Sequence, residues 1–181
     1  AQGEQFSLFG EVADVDAGSG AVTATVTVTA GALTATAGTT GVTVAGSGTG
    51  SVDLTGTLSQ VNTLLAGLSG GAVSYFHASD TPPPSVTLTL SVDDQGNTGA
   101  GGPLSGSDTA TIAIEAVNDA PTGPAGGFQL TVEDTPLAFS TATGNALVIG
   151  DPDAGGNPVQ LMLAVTDGTL TLSGTTGLSF S

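Results

Sequence analysis

From Val22 to Thr29 the chain reads Val-Thr-Ala-Thr-Val-Thr-Val-Thr, with an apolar residue at every second position and threonine between. Successive side chains of a strand point to opposite faces, so this pattern puts one face in a core and the other in water. Ser85 to Val92 repeats it, with Val86, Leu88, Leu90 and Val92 set against Thr87, Thr89 and Ser91. Residues 108–116 repeat it again through Ala110, Ile112 and Ile114. Strict alternation of β-branched residues specifies half-buried strands of antiparallel sheets. Shorter strands are expected at 7–12, 33–36, 42–44, 51–54 and 73–76, separated by glycine-rich turns. Val26, Val28, Leu88, Leu90, Ile112 and Ile114 should lie in the core.

One segment departs from period two. Leu58, Val61, Leu65 and Leu68 fall at helical spacing, with Thr57 or Ser59 as a cap and Gly67 or Gly70 as a stop. A single short helix over 58–68 is predicted, crossing an end or edge of the sheets and filling the core rather than binding anything.

The charge balance excludes several partners. The 181 residues include 16 Asp and Glu but no Lys or Arg. Phosphate contacts need basic side chains, so nucleic acid is excluded, and anionic lipid headgroups fail for the same reason. Clustered carboxylates here must be solvated, protonated or neutralised by a bound cation. Acidic chains of low hydrophobicity are disordered. This one is 39% hydrophobic with a mean hydropathy of +0.32, and it alternates, so a folded chain is expected. Cysteine is absent, which removes disulfides and zinc-thiolate sites. No apolar run is long enough for a membrane span, and no basic start followed by an apolar stretch marks a signal peptide.

The clearest boundary is Val117-Asn118-Asp119-Ala120-Pro121-Thr122-Gly123-Pro124-Ala125-Gly126-Gly127, a stretch of Pro, Gly and small residues after a strong strand pattern. The expected organisation is a nearly complete repeat over 1–119, a linker over 120–127 and the first part of a second repeat over 128–181. Strands in the second part are predicted at 128–132, 137–140, 146–149, 159–165, 170–173 and 178–180. The repeat is visible directly. Asp14-Val15-Asp16-Ala17-Gly18 returns as Asp151-Pro152-Asp153-Ala154-Gly155. Val28-Thr29-Ala30-Gly31-Ala32-Leu33-Thr34 returns at the same offset as Val165-Thr166-Asp167-Gly168-Thr169-Leu170-Thr171. Gly38-Thr39-Thr40-Gly41 returns as Gly174-Thr175-Thr176-Gly177 after a slip of a single position.

Val92-Asp93-Asp94-Gln95-Gly96, Gly102-Pro103-Leu104-Ser105, Thr109 to Ile114 and Val117-Asn118-Asp119-Ala120-Pro121 resemble the end of a bacterial cadherin-like repeat. Glu133-Asp134-Thr135-Pro136 and Asp151 to Gly155 resemble the start of the next. Such tandem repeats are common in large bacterial surface proteins and secreted adhesins. The resemblance implies an all-β fold, an Ig-like or cadherin-like antiparallel β-sandwich with one short helix. It also implies an extracellular or cell-surface setting.

In that family calcium sits at the junction between repeats. The matching positions here are Glu133 with Asp134, Asp151 and Asp153, and Asn118 with Asp119. In the first repeat Asp14 and Asp16 match, with Glu11 nearby, and the counterpart of Glu133 falls before residue 1. The family usually has an aspartate two residues before the linker Asn, where this chain has Ala116; the adjacent Glu115 points the other way in a strand. The residues themselves argue the same way. Calcium takes about six to eight oxygens, and five carboxylates here meet no basic residue. The competing reading is solvated turn aspartates, since Asp favours turns anyway.

Catalytic chemistry is not legible. His77 is the single histidine, and neither a G-x-S-x-G elbow nor an evident nucleophile accompanies it. Asp93-Asp94 could form a glycosidase pair, but sugar sites carry aromatic platforms and this chain has one Tyr and no Trp. Gly46 to Gly50 lacks the lysine of a phosphate loop. No enzyme is expected. Two functions remain. The first is a structural module of a long extracellular adhesin or filament, its hinge stiffened by calcium and its partners neighbouring repeats or identical chains joined head to tail by strand complementation. The second is a recognition module that binds glycan, ice or another surface directly. Low aromatic content and absence of Arg weigh against the second. Residues 122–181 amount to half a sandwich, with Leu161, Leu163, Val165, Leu170, Leu172 and Phe180 on an apolar face that needs a partner.

Overall fold

The computed structural model describes residues 11–14, 17–96, 102–124 and 127–180. The chain divides into two compact units, Ala1–Asn118 and Asp119–Ser181.

The N-terminal unit is an all-β, sandwich-like fold. Its strands are β1 (Ala21–Val28), β2 (Ala32–Thr36), β3 (Thr43–Ala45), β4 (Ser51–Thr57), β5 (Ala72–Phe76), β6 (Ser85–Asp93) and β7 (Ser105–Ala113). Helix α1 (Leu58–Leu65) lies between β4 and β5. One sheet has the order β3-β4-β1-β6-β7, and the other pairs β2 with β5. Every pairing is antiparallel.

Alternation dictates the register. A slip of a single position would turn every valine of β1 outward. Ala24 stands opposite Leu54 on one side and Val92 on the other, and Val26 stands opposite Val52 and Leu90. These residues form one core with Leu33 of β2 and Val61 and Leu64 of α1. On the other face of the sheet Thr23 and Thr55 share a hydrogen bond, and the Thr25 hydroxyl donates to Asp53 Oδ1 at 2.7 Å. Of the expected core, Val26, Leu88 and Leu90 are buried, while Val28, Ile112 and Ile114 are half-buried near the margins.

Helix α1 starts where predicted. The Thr57 hydroxyl accepts from the Gln60 N–H, and the Gln60 side chain accepts from the Thr57 N–H at 2.9 Å, a reciprocal capping box. It ends earlier than predicted. Gly67, at φ +71°, donates to the Leu64 carbonyl and Leu68 donates to that of Thr63, which closes the last turn in a Schellman arrangement. Leu68 therefore lies beyond the helix and is exposed, and Leu64 takes the core position expected of it. The third alternating strand also shifts, from 108–116 to Ser105–Ala113, because it runs along β6 until Ser105 meets Asp93. Of the predicted strand at 7–12, residues 7–10 lie outside the described residues, and Glu11 and Val12 are not in a strand.

The C-terminal unit corrects the second strand series. Among its described residues no strand forms at 128–132, 137–140, 146–149, 159–165, 170–173 or 178–180. The backbone pairing there is an isolated bridge between Thr122 and Gly150. Yet its turns copy those of the N-terminal unit at the offset that carries Asp14 to Asp151. Asp14 Oδ1 accepts from the Ala17 N–H at 3.1 Å, and Asp151 Oδ1 accepts from the Ala154 N–H at 3.0 Å. Gly20 donates to the Ala17 carbonyl as Asn157 donates to that of Ala154. Gly18 has φ +53° and Gly155 +54°, and Gly31 has +89° and Gly168 +96°. By this offset residues 158–165 correspond to β1 and 169–173 to β2. In the N-terminal unit β1 is paired by β4 and β6, and β2 by β5. Strands need a ladder partner to satisfy their backbone, and among the described residues of this unit none runs alongside 158–165 or 169–173.

Candidate functional site

Within the C-terminal unit the fold brings the Asp119 backbone beside the Asp151–Asp153 turn. Thr122 and Gly150 exchange backbone hydrogen bonds at 2.7 and 3.0 Å. That bridge lays residues 119–122 alongside 150–153. The Asp119 N–H donates to Asp153 Oδ2. Asp151 Oδ1 accepts from the N–H groups of Asp153 and Ala154, so this Asp-x-Asp turn is held by its own first carboxylate. Asp151 and Asp153 are partly shielded rather than fully exposed.

Glu133 and Asp134 occupy a different turn. The Thr135 N–H donates to the Val132 carbonyl, and the Thr131 hydroxyl donates to the Thr135 carbonyl. Asp134 lies at the tip with φ +58°, a left-handed conformation that Asp tolerates better than most residues. The hydrogen bonds of this turn are local. Asn118 closes the N-terminal unit. In that unit Asp14 sits in the matching turn, and its partner Asp16 lies outside the described residues.

The donor chemistry fits a hard cation in part. All the candidate ligands are oxygens, and the sequence has no basic side chain to compete for them. The geometry gathers less. Among the described residues no three Asp, Glu or His side chains are close enough together to hold one ion. Two carboxylate oxygens, Asp151 Oδ1 and Asp153 Oδ2, are already engaged by backbone donors.

Elsewhere, His77 follows β5, and its Nδ1 accepts from the Ser79 N–H at 3.3 Å. Asp93 and Asp94 cap turns: Asp93 Oδ1 accepts from Gln95, and Asp94 Oδ1 accepts from the N–H groups of Gly96 and Leu104. No helix among the described residues is long and apolar enough to cross a membrane. One polar contact was not visible in sequence. The Asn62 side chain both accepts from the Val12 N–H, at 2.9 Å, and donates to its carbonyl, at 2.8 Å. It thereby ties the leading segment to α1. Asparagine on a short helix carries no signal for a partner so distant along the chain.

No family model, curated protein or solved structure matches this chain.

Proposed function

We propose that this chain is a structural repeat module of a long extracellular adhesin or surface filament. The observation that carries the reading is the repeated Asp turn. The same side-chain hydrogen bond recurs at Asp14 and Asp151, and the same glycine conformation at Gly18 and Gly155. A module built to be repeated needs such a joint at every junction. Its neighbours are further repeats or identical chains, and the chain catalyses no reaction.

Calcium stiffens the joint in this reading. The residues that the family resemblance implies as ligands are Asp119, Glu133, Asp134, Asp151 and Asp153 with Asn118, and Asp14 and Asp16 for the preceding junction; of these the Asp119 backbone and the Asp151–Asp153 turn lie side by side. Bound there, the ion supplies positive charge to carboxylates that no Lys or Arg offsets. The chain's own part is to fix Asp151 by its turn bonds and to hold Asp119 beside Asp153. A cation bound to the folded state alone stabilises it by RT ln(1 + [L]/Kd), about 2.7 kcal/mol at a hundredfold excess over Kd. Calorimetric titration of the chelator-stripped chain tests this. Saturable heat and a raised Tm are expected, and D151N with D153N should abolish most of both. An absence of heat with an unchanged Tm would leave the acidic turns as solvated surface.

A further inference from the structure

The C-terminal unit exposes a row of side chains whose counterparts are buried. Val22 is 0% exposed and Val159 is 50%; Leu33 is 1% and Leu170 is 49%. Leu161 and Leu163 stand where Ala24 and Val26 stand in β1, and they too are exposed. The N-terminal unit shows what covers such a row. Strand β6 pairs with β1 in one register, from Thr23 opposite Asp93 to Val28 opposite Leu88.

We propose that residues 160–165 are a strand-acceptor site. Its occupant is an antiparallel strand of the β6 sequence type, alternating Leu or Val with Thr, from a polypeptide of the same repeat. Carrying the register over by the offset between Asp14 and Asp151 sets Leu161 opposite the Val92-type position, Leu163 opposite the Leu90-type and Val165 opposite the Leu88-type. Main-chain hydrogen bonds give such a pairing its affinity, and alternate side chains give it its register.

The β6 strand of a second copy is not free to be the occupant, because it is engaged within its own sheet. Each chain carries two segments of the β1 type, Ala21–Val28 and 158–165. Among the described residues it carries one strand of the β6 type, Ser85–Asp93, already seated between β1 and β7. The occupant is a β6-type strand that is not already seated in a sheet of its own. This inference rests on the repeat reading but does not depend on calcium.

The test uses the isotope-labelled full chain and a synthetic peptide of residues 85–93, Ser-Val-Thr-Leu-Thr-Leu-Ser-Val-Asp. Amide exchange is followed residue by residue, with a scrambled peptide as control. The 85–93 peptide should slow exchange at least tenfold at alternate amides over 160–165, and the scrambled peptide should not. Because the chain has no cysteine, L163C can be cross-linked to single-cysteine peptides. The peptide substituted at the Leu90 position should react before those substituted at the Leu88 or Val92 positions. Equal protection by the scrambled peptide, no protection, or cross-linking without positional preference would overturn the site. Protection that appears without peptide and grows with chain concentration would overturn the choice of occupant. Calcium binding reads Asp151 and Asp153, so either result can fail while the other stands.

Discussion

Residues 21–36 and 158–173 carry one pattern and meet two fates. Both contain an alternating segment, a glycine turn at positive φ and a second apolar segment. In the first region the alternation becomes β1 and β2, with Val22, Ala24, Val26 and Leu33 buried. In the second the same turns form, but no ladder does. Alternation assigns the two faces of a strand; partners make the strand. β1 and β2 do not pair with each other but lie in opposite sheets, so neither can satisfy the other.

The sharpest test of this contrast is paired truncation in the two regions. Leu33→Ala should cost about 2–5 kcal/mol, as a buried leucine does, because it empties a site between the sheets. Leu170→Ala should change stability by no more than about 0.5 kcal/mol, as surface substitutions do. Urea denaturation followed by residue-resolved amide exchange in each unit measures both. Equal costs would mean that the second region is packed after all.

The two turn glycines give the next comparison. A Cβ on Gly31 would sit 2.7 Å from both the Phe76 carbonyl oxygen and the Tyr75 ring. A Cβ on Gly168 would meet nothing within 4 Å. Both carry the left-handed penalty of about 1–2 kcal/mol. Gly31→Ala should add about 1–3 kcal/mol of overpacking, which Gly168→Ala lacks. Amide exchange in each region separates the two effects. If a β6-type strand is supplied to the C-terminal unit, the second substitution should begin to cost more.

Thr57→Ala removes the cap of α1 and should lower stability by about 1 kcal/mol. Circular dichroism during thermal unfolding reads it, and the C-terminal unit should show no response.

The smallest effect concerns Tyr75. Its hydroxyl is buried without a hydrogen-bond partner among the described residues, and burial raises its pKa above the ordinary 10.0. The fold prefers the neutral phenol. Stability from that preference is therefore intact below pH 10 and falls as pH rises through the raised value. Tyr75→Phe should remove this alkaline loss and leave neutral-pH stability equal or slightly higher, read as Tm between pH 8 and 11.

What could be seen in sequence was whatever the local pattern determines. β1, β6 and the start of α1 are written in spacing alone. The extent of β7 was not, because Ser105, Gly106 and Ser107 have no apolar signal and are strand only through their pairing with β6. Val12 and Asn62 were invisible for the same reason, as was the Thr122–Gly150 bridge that lays Asp119 beside Asp153. The acidic residues were readable as turn formers. Their grouping came from the family resemblance alone, because it depends on which turns the backbone brings side by side.

The central place of β1 also fixes an order in time. A ribosome delivers β1 first, but Val26 must wait for Val52 on one side and for Leu90 on the other. Until then the nascent segment is an apolar row without a ladder partner, as residues 158–165 are among the described residues. Sheets whose contacts are distant in sequence fold slowly and risk aggregation while they wait. Threonine at every alternate position keeps one face of that waiting strand wetted, and sixteen like charges keep neighbouring chains apart.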